Sequence, residues 1–367
     1  MAYVAACTDK GSKRRTNQDA CCIQVANTAF GEVLMAVVCD GVGGLQAGEL
    51  ASATVAYRFA QWFTDELPTL LQNMDVTRPL NFDMVETVWG VLLNNLNEVI
   101  QNYGREHHGK LGTTFTGMLV SEGRYIVGHV GDCRLYQIAP RGVRQVTVDQ
   151  TLLNKMLASG ELKPEEAKNF KQGHVILQSV GTEGLLRPVF YRGTCTPNDL
   201  FVLACDGAYR KAEDVGVASF FQGVNHHDED ALNRACREML QYDLAHGETD
   251  NLTVVCVSAE LESRGQVASQ LASQAVAGPA ARAQELGADA ARVARDVDVD
   301  DDPITMLHDE EPDGDDAPTM VEPDDAPTML DPQDDDALTM VEPDDDAPTM
   351  LEPDDADLPT RVERDES

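Results

Sequence analysis

The segment EVLMAVVCDGVGG, at residues 32–44, joins a long apolar run to an aspartate and a glycine-rich turn. Asp40 ends this run, and two more aspartates border similar runs: Asp206 ends DLFVLACDG, and Asp250 opens DNLTVVCV. Residues at strand ends are held rigidly, and a glycine turn lets a ligand approach the backbone closely. Carboxylate oxygens suit Mg²⁺ or Mn²⁺ better than Zn²⁺. The pattern therefore predicts a metal centre that supports attack of water on a phosphate.

Secondary structure follows from the apolar periodicity. Segments 46–66 and 82–102 have apolar side chains at helical spacing and predict two long amphipathic helices. Residues 151–170 predict a helix, a glycine stop and a second helix that begins near Pro164. Short hairpin-like units follow one another from 124 to 148, which favours antiparallel sheets covered by helices. Buried strands are predicted at residues 32–39, 112–120, 124–131, 199–205 and 252–258.

Most of the negative charge lies in the C-terminal segment. Residues 296–367 hold 29 acidic and two basic residues, a net charge of −27 out of −35 for the 367-residue chain. We therefore predict three parts: a folded body at 1–260, an Ala-rich, partly helical linker at 261–295, and an acidic tail at 296–367. Many prolines, few aromatic residues and heavy like charge predict that this tail is disordered. Such a segment would be repelled by the phosphates of a nucleic acid, so we expect no nucleic-acid partner.

The nine cysteines include no C-x-x-C pair, and several lie inside apolar runs. They are predicted to be buried, reduced thiols, with packing favoured over redox control. Cys39 and Cys205 directly precede Asp40 and Asp206, but adjacent residues of a strand face opposite sides, which favours packing for both thiols. The N-terminus lacks a signal-peptide pattern, and no run of about 18 apolar residues occurs. We therefore expect a cytoplasmic protein without a membrane partner.

The segment GSKRRTNQDA contains Arg14, Asn17 and Asp19. From these residues alone, Arg14 is either a surface ion pair or a guanidinium fork for phosphate oxygens, with Asp19 holding metal-bound water. Six motifs over residues 1–260 resemble, in order and spacing, those of the metal-dependent protein phosphatase 2C family, most closely its bacterial branch. They are R-x-x-N-Q-D at 14–19, D-G-V-G-G-x-x-x-G-E at 40–49, G-T-T at 112–114, V-G-D-C-R at 130–134, C-D-G at 205–207 and D-N-x-T at 250–253.

The resemblance implies an α+β fold: a four-layer αββα sandwich whose two central antiparallel sheets are flanked by helices, with a dinuclear metal cleft at one end. It implies two Mn²⁺ or Mg²⁺ ions. Asp40 would bridge the ions, the Gly41 carbonyl would bind one of them, and Asp206 and Asp250 would complete the protein ligands of the second. Asp132 matches the position that binds a third, weaker metal in bacterial members.

Three positions complete the comparison with the family pattern. Arg14 matches the phosphate-binding arginine. Gln18 stands where many members have Glu, so one water-mediated metal contact would be neutral, and metal affinity would drop or shift. Leu45 stands where many bacterial relatives have His; if that His protonates the leaving group, its loss slows the reaction by about two to four orders of magnitude. By sequence alone, His129 is a candidate to replace this His as the general acid, but a packing role within a strand is favoured for it.

Two functions follow from these residues and motifs. The first is a protein serine/threonine phosphatase that hydrolyses phosphoserine and phosphothreonine by attack of a metal-bridging hydroxide. The second, motivated by Leu45 and Gln18, is a pseudophosphatase that binds phosphoproteins without hydrolysing them. Metal-dependent turnover separates the two. The expected partners are phosphorylated proteins, including a cognate Ser/Thr kinase, and we expect a monomer.

The acidic tail repeats the pattern DDAPTMVEPDD, first seen at 315–325 and copied three more times up to residue 355. Three interpretations are open: a solubilising tail, a set of phosphorylation sites, or a polyanion that inhibits the metal cleft. As phosphothreonines, several weak copies would bind forkhead-associated domains by avidity. The candidate threonines, each with an acid three residues later, are Thr319, Thr328, Thr339, Thr349 and Thr360.

Overall fold

The computed structural model describes residues 2–42 and 47–277, with side chains as far as residue 271. Two five-stranded antiparallel sheets form the centre of this part. The first sheet has the order β1 (Val4–Asp9), β10 (Leu252–Ser258), β9 (Leu200–Ala204), β6 (Arg134–Ala139) and β7 (Gly142–Gln145). The second has the order β2 (Asp19–Thr28), β3 (Gly31–Asp40), β4 (Phe115–Ser121), β5 (Arg124–Val130) and β8 (Val189–Thr194).

Helices cover the outer faces of both sheets, so the four-layer αββα arrangement is confirmed. On the second sheet, α1 (Gly48–Gln61) contacts β2 and β3, and α3 (Phe82–Glu106) contacts β5. On the first sheet, α6 (Glu229–Ala245) contacts β1 and β10. The remaining helices are α2 (Leu67–Gln72), α4 (Leu152–Ser159), α5 (Asp206–Tyr209) and α7 (Arg264–Ala277), with a π-helical turn at Trp62–Glu66 and 3₁₀ turns at Pro164–Asn169, Ala212–Asp214 and Val217–Phe221.

The central strand β3 is buried on both faces. Leu34, Ala36 and Val38 belong to the core that reaches the first sheet, and the alternating residues Val33 and Met35 belong to the core beneath the helices. Successive side chains of a strand point to opposite faces. A strand packed on both sides therefore needs apolar residues at every position, which explains the unbroken run VLMAVVC.

The predicted antiparallel sheets and the helices near 46–66 and 82–102 are confirmed, with differences at several ends. The predicted strand at 112–120 begins only at Phe115, because Thr113 makes isolated bridges to Gly41 and Val180 instead of joining the ladder. The second helix of the 151–170 segment is a 3₁₀ turn. Among the described residues, no helix is both long and apolar enough to cross a lipid bilayer.

The C-terminal predictions fall largely outside the described residues. Helix α7 lies within the segment predicted as a partly helical linker, and it contacts β3. The remainder of that linker from residue 278, and the whole acidic tail with its five threonines, lie outside the described residues. The division into a body, a linker and a tail therefore stays a prediction.

We expect Trp89→Ala to lower the free energy of unfolding by about 3–5 kcal/mol, because it leaves a cavity among fully buried rings. Trp89 is 0% exposed and meets Phe59 edge-on at 5.3 Å and Trp62 edge-on at 5.6 Å between ring centroids. Urea denaturation would measure the change. Val91→Ala, in the same helix but at a side chain that is 58% exposed, should change stability by less than about 0.5 kcal/mol. Equal effects would contradict this packing.

Candidate metal centre

Two carboxylates face each other where β2 begins and β3 ends. Asp19 and Asp40 are register partners across the two strands. One carboxylate oxygen of each aspartate and the Sγ of Cys205 all lie within 4.8 Å of one another. The G-T-T segment fixes Asp40: its N–H donates to Thr114 Oγ1 at 2.8 Å, and its carbonyl accepts from Thr113 Oγ1 at 2.9 Å. The motif whose role the sequence left open therefore positions this aspartate.

Three more aspartates reach the same end of the sandwich from other elements. Asp206 is the first residue of α5 and is separated from β9 by Cys205, Asp250 lies two residues before β10, and Asp132 lies between β5 and β6. Burial raises the pKa of Asp40 well above its usual value, and the negative charges of Asp19 and of these three aspartates raise it further. The structure thus brings all five predicted carboxylates into one electrostatic cluster.

Burial also raises the pKa of the neighbouring acids. It raises the pKa of Asp19 to about 7, although Thr253 Oγ1 donates a hydrogen bond to Asp19 Oδ2 at 2.7 Å and opposes the shift. It raises the pKa of Asp132 to about 7 as well. The pKa of Asp206 is raised by burial even though Arg210 forms an ion pair with it. Without a cation, burial therefore disfavours the charged form of each of these three carboxyl groups.

The donor set fits divalent cations. Asp19 Oδ1 and Asp132 Oδ1 are buried, and neither finds a hydrogen-bond partner within the part of the chain that the structure describes. A buried carboxylate oxygen without a partner costs free energy, so such atoms in a native site indicate a missing ion or water. Several converging carboxylates match the oxygen ligands of Mg²⁺ and Mn²⁺. These observations support an ion at the cluster.

The glycines that follow two of the aspartates are required by close backbone packing. A Cβ atom at Gly41 would lie 2.5 Å from the carbonyl oxygen of Gln18 and 2.6 Å from that of Gly48. At Gly207 a Cβ atom would lie 2.0 Å from the carbonyl oxygen of Asn251. No side chain fits at such distances without moving the backbone. The D-G pairs therefore hold the turns that carry Asp40 and Asp206.

Arg14 makes a two-pronged contact with one of the predicted metal ligands. Its Nε lies 2.7 Å from Asp250 Oδ1, and its Nη2 donates to Asp250 Oδ2 at 2.8 Å. The two side chains are 37% and 28% exposed, so solvent reaches the pair. The planar guanidinium fork that matches a carboxylate also matches a phosphate. Arg14 thus forms an ion pair here, but at the carboxylate cluster and not on a remote surface.

Asn251 organises the segment that carries Arg14, a role the sequence did not reveal. Its Oδ1 accepts a hydrogen bond from the N–H of Gln18 at 2.9 Å. Its Nδ2 donates to the carbonyl oxygens of Lys10 at 2.8 Å and Thr16 at 3.1 Å. The sequence marked Asn251 only as a member of the D-N-x-T motif, directly before an apolar strand. One amide therefore holds residues 10–18 against the site.

Gln18, the neutral residue at a position where Glu was expected, contacts an acid. Its Nε2 donates to Glu49 Oε2 at 2.9 Å. The neutral Gln18 amide lacks the negative charge that a carboxylate would have, but its hydrogen bond still orients Glu49. Leu45, the second predicted departure, lies outside the described residues.

His129 lies on β5, inside the second sheet. A general acid usually lies in a cleft, where it can reach the substrate. His129 is 0% exposed, and its Nδ1 lies 2.9 Å from Thr116 Oγ1. Burial lowers the pKa of His129 to about 4, so the ring is neutral at physiological pH. The structure therefore places it as a packed strand residue.

The strand-alternation argument does not hold for Cys205. Strand β9 ends at Ala204, and Cys205 is the residue that precedes α5, so its side chain is not bound to the alternation of the strand. Its Sγ accepts from the N–H of Thr253 at 3.0 Å and points to the carboxylate cluster. Burial raises the pKa of this thiol well above its usual value. Cys205 is consequently a neutral packing group beneath the site.

Comparison with known proteins gives one family match. Residues 9–241 match the family model described as protein phosphatase 2C. The protein phosphatase PhpP of Streptococcus pneumoniae is 28% identical over 261 residues, which cover 70% of this chain and 96% of that protein. The serine/threonine phosphatase stp of Listeria monocytogenes is 24% identical over 233 residues, covering 64% and 87%.

Solved structures show the same fold. The serine/threonine phosphatase Stp1 from Staphylococcus aureus aligns with a TM-score of 0.58 at 26% identity, covering 71% of this chain and 96% of that one. The catalytic domain of the phosphatase PstP, solved in complex with two manganese ions, aligns with a TM-score of 0.54 at 24% identity, covering 70% and 97%.

Proposed function

Because this chain belongs to the protein phosphatase 2C family, it is a protein serine/threonine phosphatase, and we propose that the five-aspartate cluster is where its phosphoesters are hydrolysed. The observation that carries the proposal is the convergence of Asp19, Asp40, Asp132, Asp206 and Asp250. Five buried or half-buried carboxylates in one cluster are unfavourable unless cations share the site. Substrates are phosphoserine and phosphothreonine side chains of proteins.

We assign two Mn²⁺ or Mg²⁺ ions to Asp40, the Gly41 carbonyl, Asp206 and Asp250, and a third, weaker ion to Asp132. When bound, such ions lower the pKa of water and offset the charge that grows on the phosphoryl oxygens. In the structurally similar PstP complex two manganese ions are present. The donor atoms of this chain are of the type that these cations prefer.

Arg14 and Asp19 have separate parts in the proposed reaction. Arg14 exchanges the carboxylate of Asp250 for two phosphoryl oxygens, and this holds the phosphorus in one orientation. Asp19 is fixed by Thr253, and its other oxygen is free to accept a hydrogen bond from water. That contact orients the water for attack.

A cysteine nucleophile does not fit the site. Only a thiolate attacks, and thiolates need a lowered pKa. Cys205, the thiol beside the cluster, is fully buried and has a raised pKa. The nearest arginine in sequence, Arg210, is occupied by ion pairs with Asp206 and Glu248. Direct attack by water is therefore favoured over a covalent phosphoenzyme.

The alternative is a phosphoprotein-binding pseudophosphatase, and the neutral Gln18 is the observation that favours it. Hydrolysis of a phosphothreonine peptide by the full chain, with Mn²⁺ and then with excess chelator, separates the two functions. Turnover that needs the metal supports the enzyme. Peptide binding without turnover at saturating Mn²⁺ would establish the pseudophosphatase instead.

We expect Gln18→Glu to tighten Mn²⁺ binding by about tenfold, because a second carboxylate would face Glu49 next to the cluster. Isothermal titration calorimetry would measure the dissociation constant. Gln24→Glu adds the same charge further along β2 and serves as the matched control. Unchanged Mn²⁺ binding in Gln18→Glu would show that this position does not contribute to the site, and weaker binding would contradict the expected sign.

The acidic tail lies outside the described residues, so its roles rest on sequence. We propose that Thr319, Thr328, Thr339, Thr349 and Thr360 are phosphorylated by a cognate Ser/Thr kinase and then bind forkhead-associated domains. Mass spectrometry after coexpression with such a kinase tests this proposal, and five unmodified threonines would reject it. A monomeric state and a cytoplasmic location also stay predictions.

A further inference from the structure

The segment KGSKRR at residues 10–15 concentrates positive charge beside the cluster. It holds four cations in six residues, and no other six-residue window of the chain holds as many. The whole chain has a net charge of −35, so this concentration is exceptional within it. The proposed function explains only one of these four cations, Arg14. We call the other three, Lys10, Lys13 and Arg15, the cationic rim.

The cationic rim is held in place by the backbone that carries it. Asn251 Nδ2 donates to the carbonyl oxygens of Lys10 and Thr16, which fixes both ends of the segment. Between them, Gly11 packs so tightly on Asp250 that an added Cβ would lie 1.9 Å from its carbonyl oxygen. The charges of the rim are therefore anchored next to a candidate metal ligand.

The side chains of the cationic rim are available for a partner. Lys10, Lys13 and Arg15 are all exposed. None of them forms an ion pair with an acid in the described ranges 2–42 and 47–271, whereas the intervening Arg14 is paired with Asp250. Exposed cations that are not held in ion pairs keep a field that attracts negatively charged ligands.

We propose that the cationic rim binds acidic residues on either side of the phosphorylated side chain, so that the site selects acidic phosphothreonine segments. This inference rests on the proposed function, because it takes Arg14 as the phosphate contact. Lys13 and Arg15 are the chain neighbours of Arg14, with Cα atoms about 3.8 Å from its Cα. Their charges thus act on groups around the bound phosphate within the screening length of about 8–10 Å.

Acidic residues three positions from the phosphothreonine lie at a distance comparable with this screening length. In an extended peptide three residues span about 10 Å. The tail sequence of this chain shows the chemistry: Asp346 and Glu352 stand three residues before and after Thr349. Thr319, Thr328 and Thr339 have an acid at the same two distances. A synthetic peptide with this sequence is therefore a suitable probe.

The test compares two peptides on the full chain. The acidic peptide has the sequence of residues 345–355 with phosphate on Thr349, and the neutral peptide has its five acids replaced by the corresponding amides. At low salt we expect a higher kcat/KM for the acidic peptide. In K13Q/R15Q this preference should fall by about tenfold through KM, with kcat unchanged and the neutral peptide unaffected.

The control variant R78Q/R141Q removes two exposed arginines elsewhere. Arg78 lies near α7, since Arg264 donates to its carbonyl oxygen at 2.8 Å, and Arg141 lies at the turn between β6 and β7. This variant should keep the preference of the wild type. Equal kcat/KM for both peptides in the wild type, or an unchanged preference in K13Q/R15Q, would overturn the proposal.

A binding measurement separates failure of the inference from failure of the proposed function. If neither peptide is hydrolysed, the proposed function fails, and fluorescence anisotropy in excess chelator then tests the cationic rim alone. Tighter binding of the acidic peptide that is lost in K13Q/R15Q would support the rim. Equal binding of the two peptides by the wild type would reject the rim. A preference for the acidic peptide that K13Q/R15Q keeps, as R78Q/R141Q does, would also reject it.

Discussion

Asp40→Asn is expected to reduce hydrolysis of a phosphothreonine peptide by about a thousandfold or more. Asp40 stands at the centre of the cluster and faces Asp19 across β2 and β3. We propose that two cations share this carboxylate, so its loss would remove about 4 kcal/mol or more of transition-state stabilisation, and each 1.4 kcal/mol is tenfold in rate. The measurement is kcat/KM at saturating Mn²⁺. Asp214→Asn, at an exposed acid of a 3₁₀ turn, is the control and should be fully active.

The same variant has an opposite effect on stability. The pKa of Asp40 is raised in the folded protein, so its ionisation disfavours folding. This penalty is absent below the ordinary aspartate pKa of about 4, grows as the pH rises, and is complete above the raised pKa. Without metal, Asp40→Asn should therefore melt at a higher temperature than the wild type at pH 8, and at a similar temperature at pH 4. A variant that is inactive because it has unfolded would instead melt lower at pH 8.

Arg14→Ala is expected to lower kcat/KM for p-nitrophenyl phosphate by about 10²–10⁴. Two charge-assisted hydrogen bonds to phosphoryl oxygens contribute about 1.5–3 kcal/mol each. A small phosphoester is the better substrate for this test because it has no acidic residues for the cationic rim to bind. Arg14→Lys should recover only part of the loss, since an ammonium cannot make the two-pronged contact.

Arg15→Ala is the matched control for Arg14→Ala. Arg15 is the next residue and is exposed, whereas Arg14 reaches Asp250 at 2.7 Å. On p-nitrophenyl phosphate, Arg15→Ala should retain activity within about twofold, because surface charges contribute little to a small substrate. Equal losses in the two variants would show that net charge, and not the guanidinium of Arg14, supports the reaction.

The family resemblance implied the αββα sandwich, whereas the apolar pattern indicated several of its strands, because the central strands are buried on both faces. Strands β3 and β9 contain unbroken apolar runs, and Thr253 is the single polar residue within the run of β10 before Ser258. Edge and half-buried strands give a weaker signal: β1 and β8 have mixed exposure, the apolar run of β1 ends at Thr8, and β8 contains Arg192. Burial of both faces, which depends on the tertiary fold, is thus what made some strands predictable.

The candidate site was only partly predictable for a similar reason. Asp40, Asp206 and Asp250 are marked by their positions at the ends of apolar runs. The contacts that position them join distant residues: Gln18 with Glu49 is 31 positions apart, and Asn251 with Lys10 is 241 positions apart. No local pattern encodes such pairs. The structure was needed to show that one asparagine anchors the arginine segment and that two threonines fix Asp40.

The most direct test is diffraction at the manganese absorption edge from crystals of the protein grown with Mn²⁺. We predict anomalous peaks within coordination distance, about 2–2.5 Å, of Asp40, with Asp206 and Asp250 as further ligands. An active, manganese-loaded protein whose crystals show no anomalous peak at Asp40, or show peaks only elsewhere, would refute the assignment of this cluster as the metal centre.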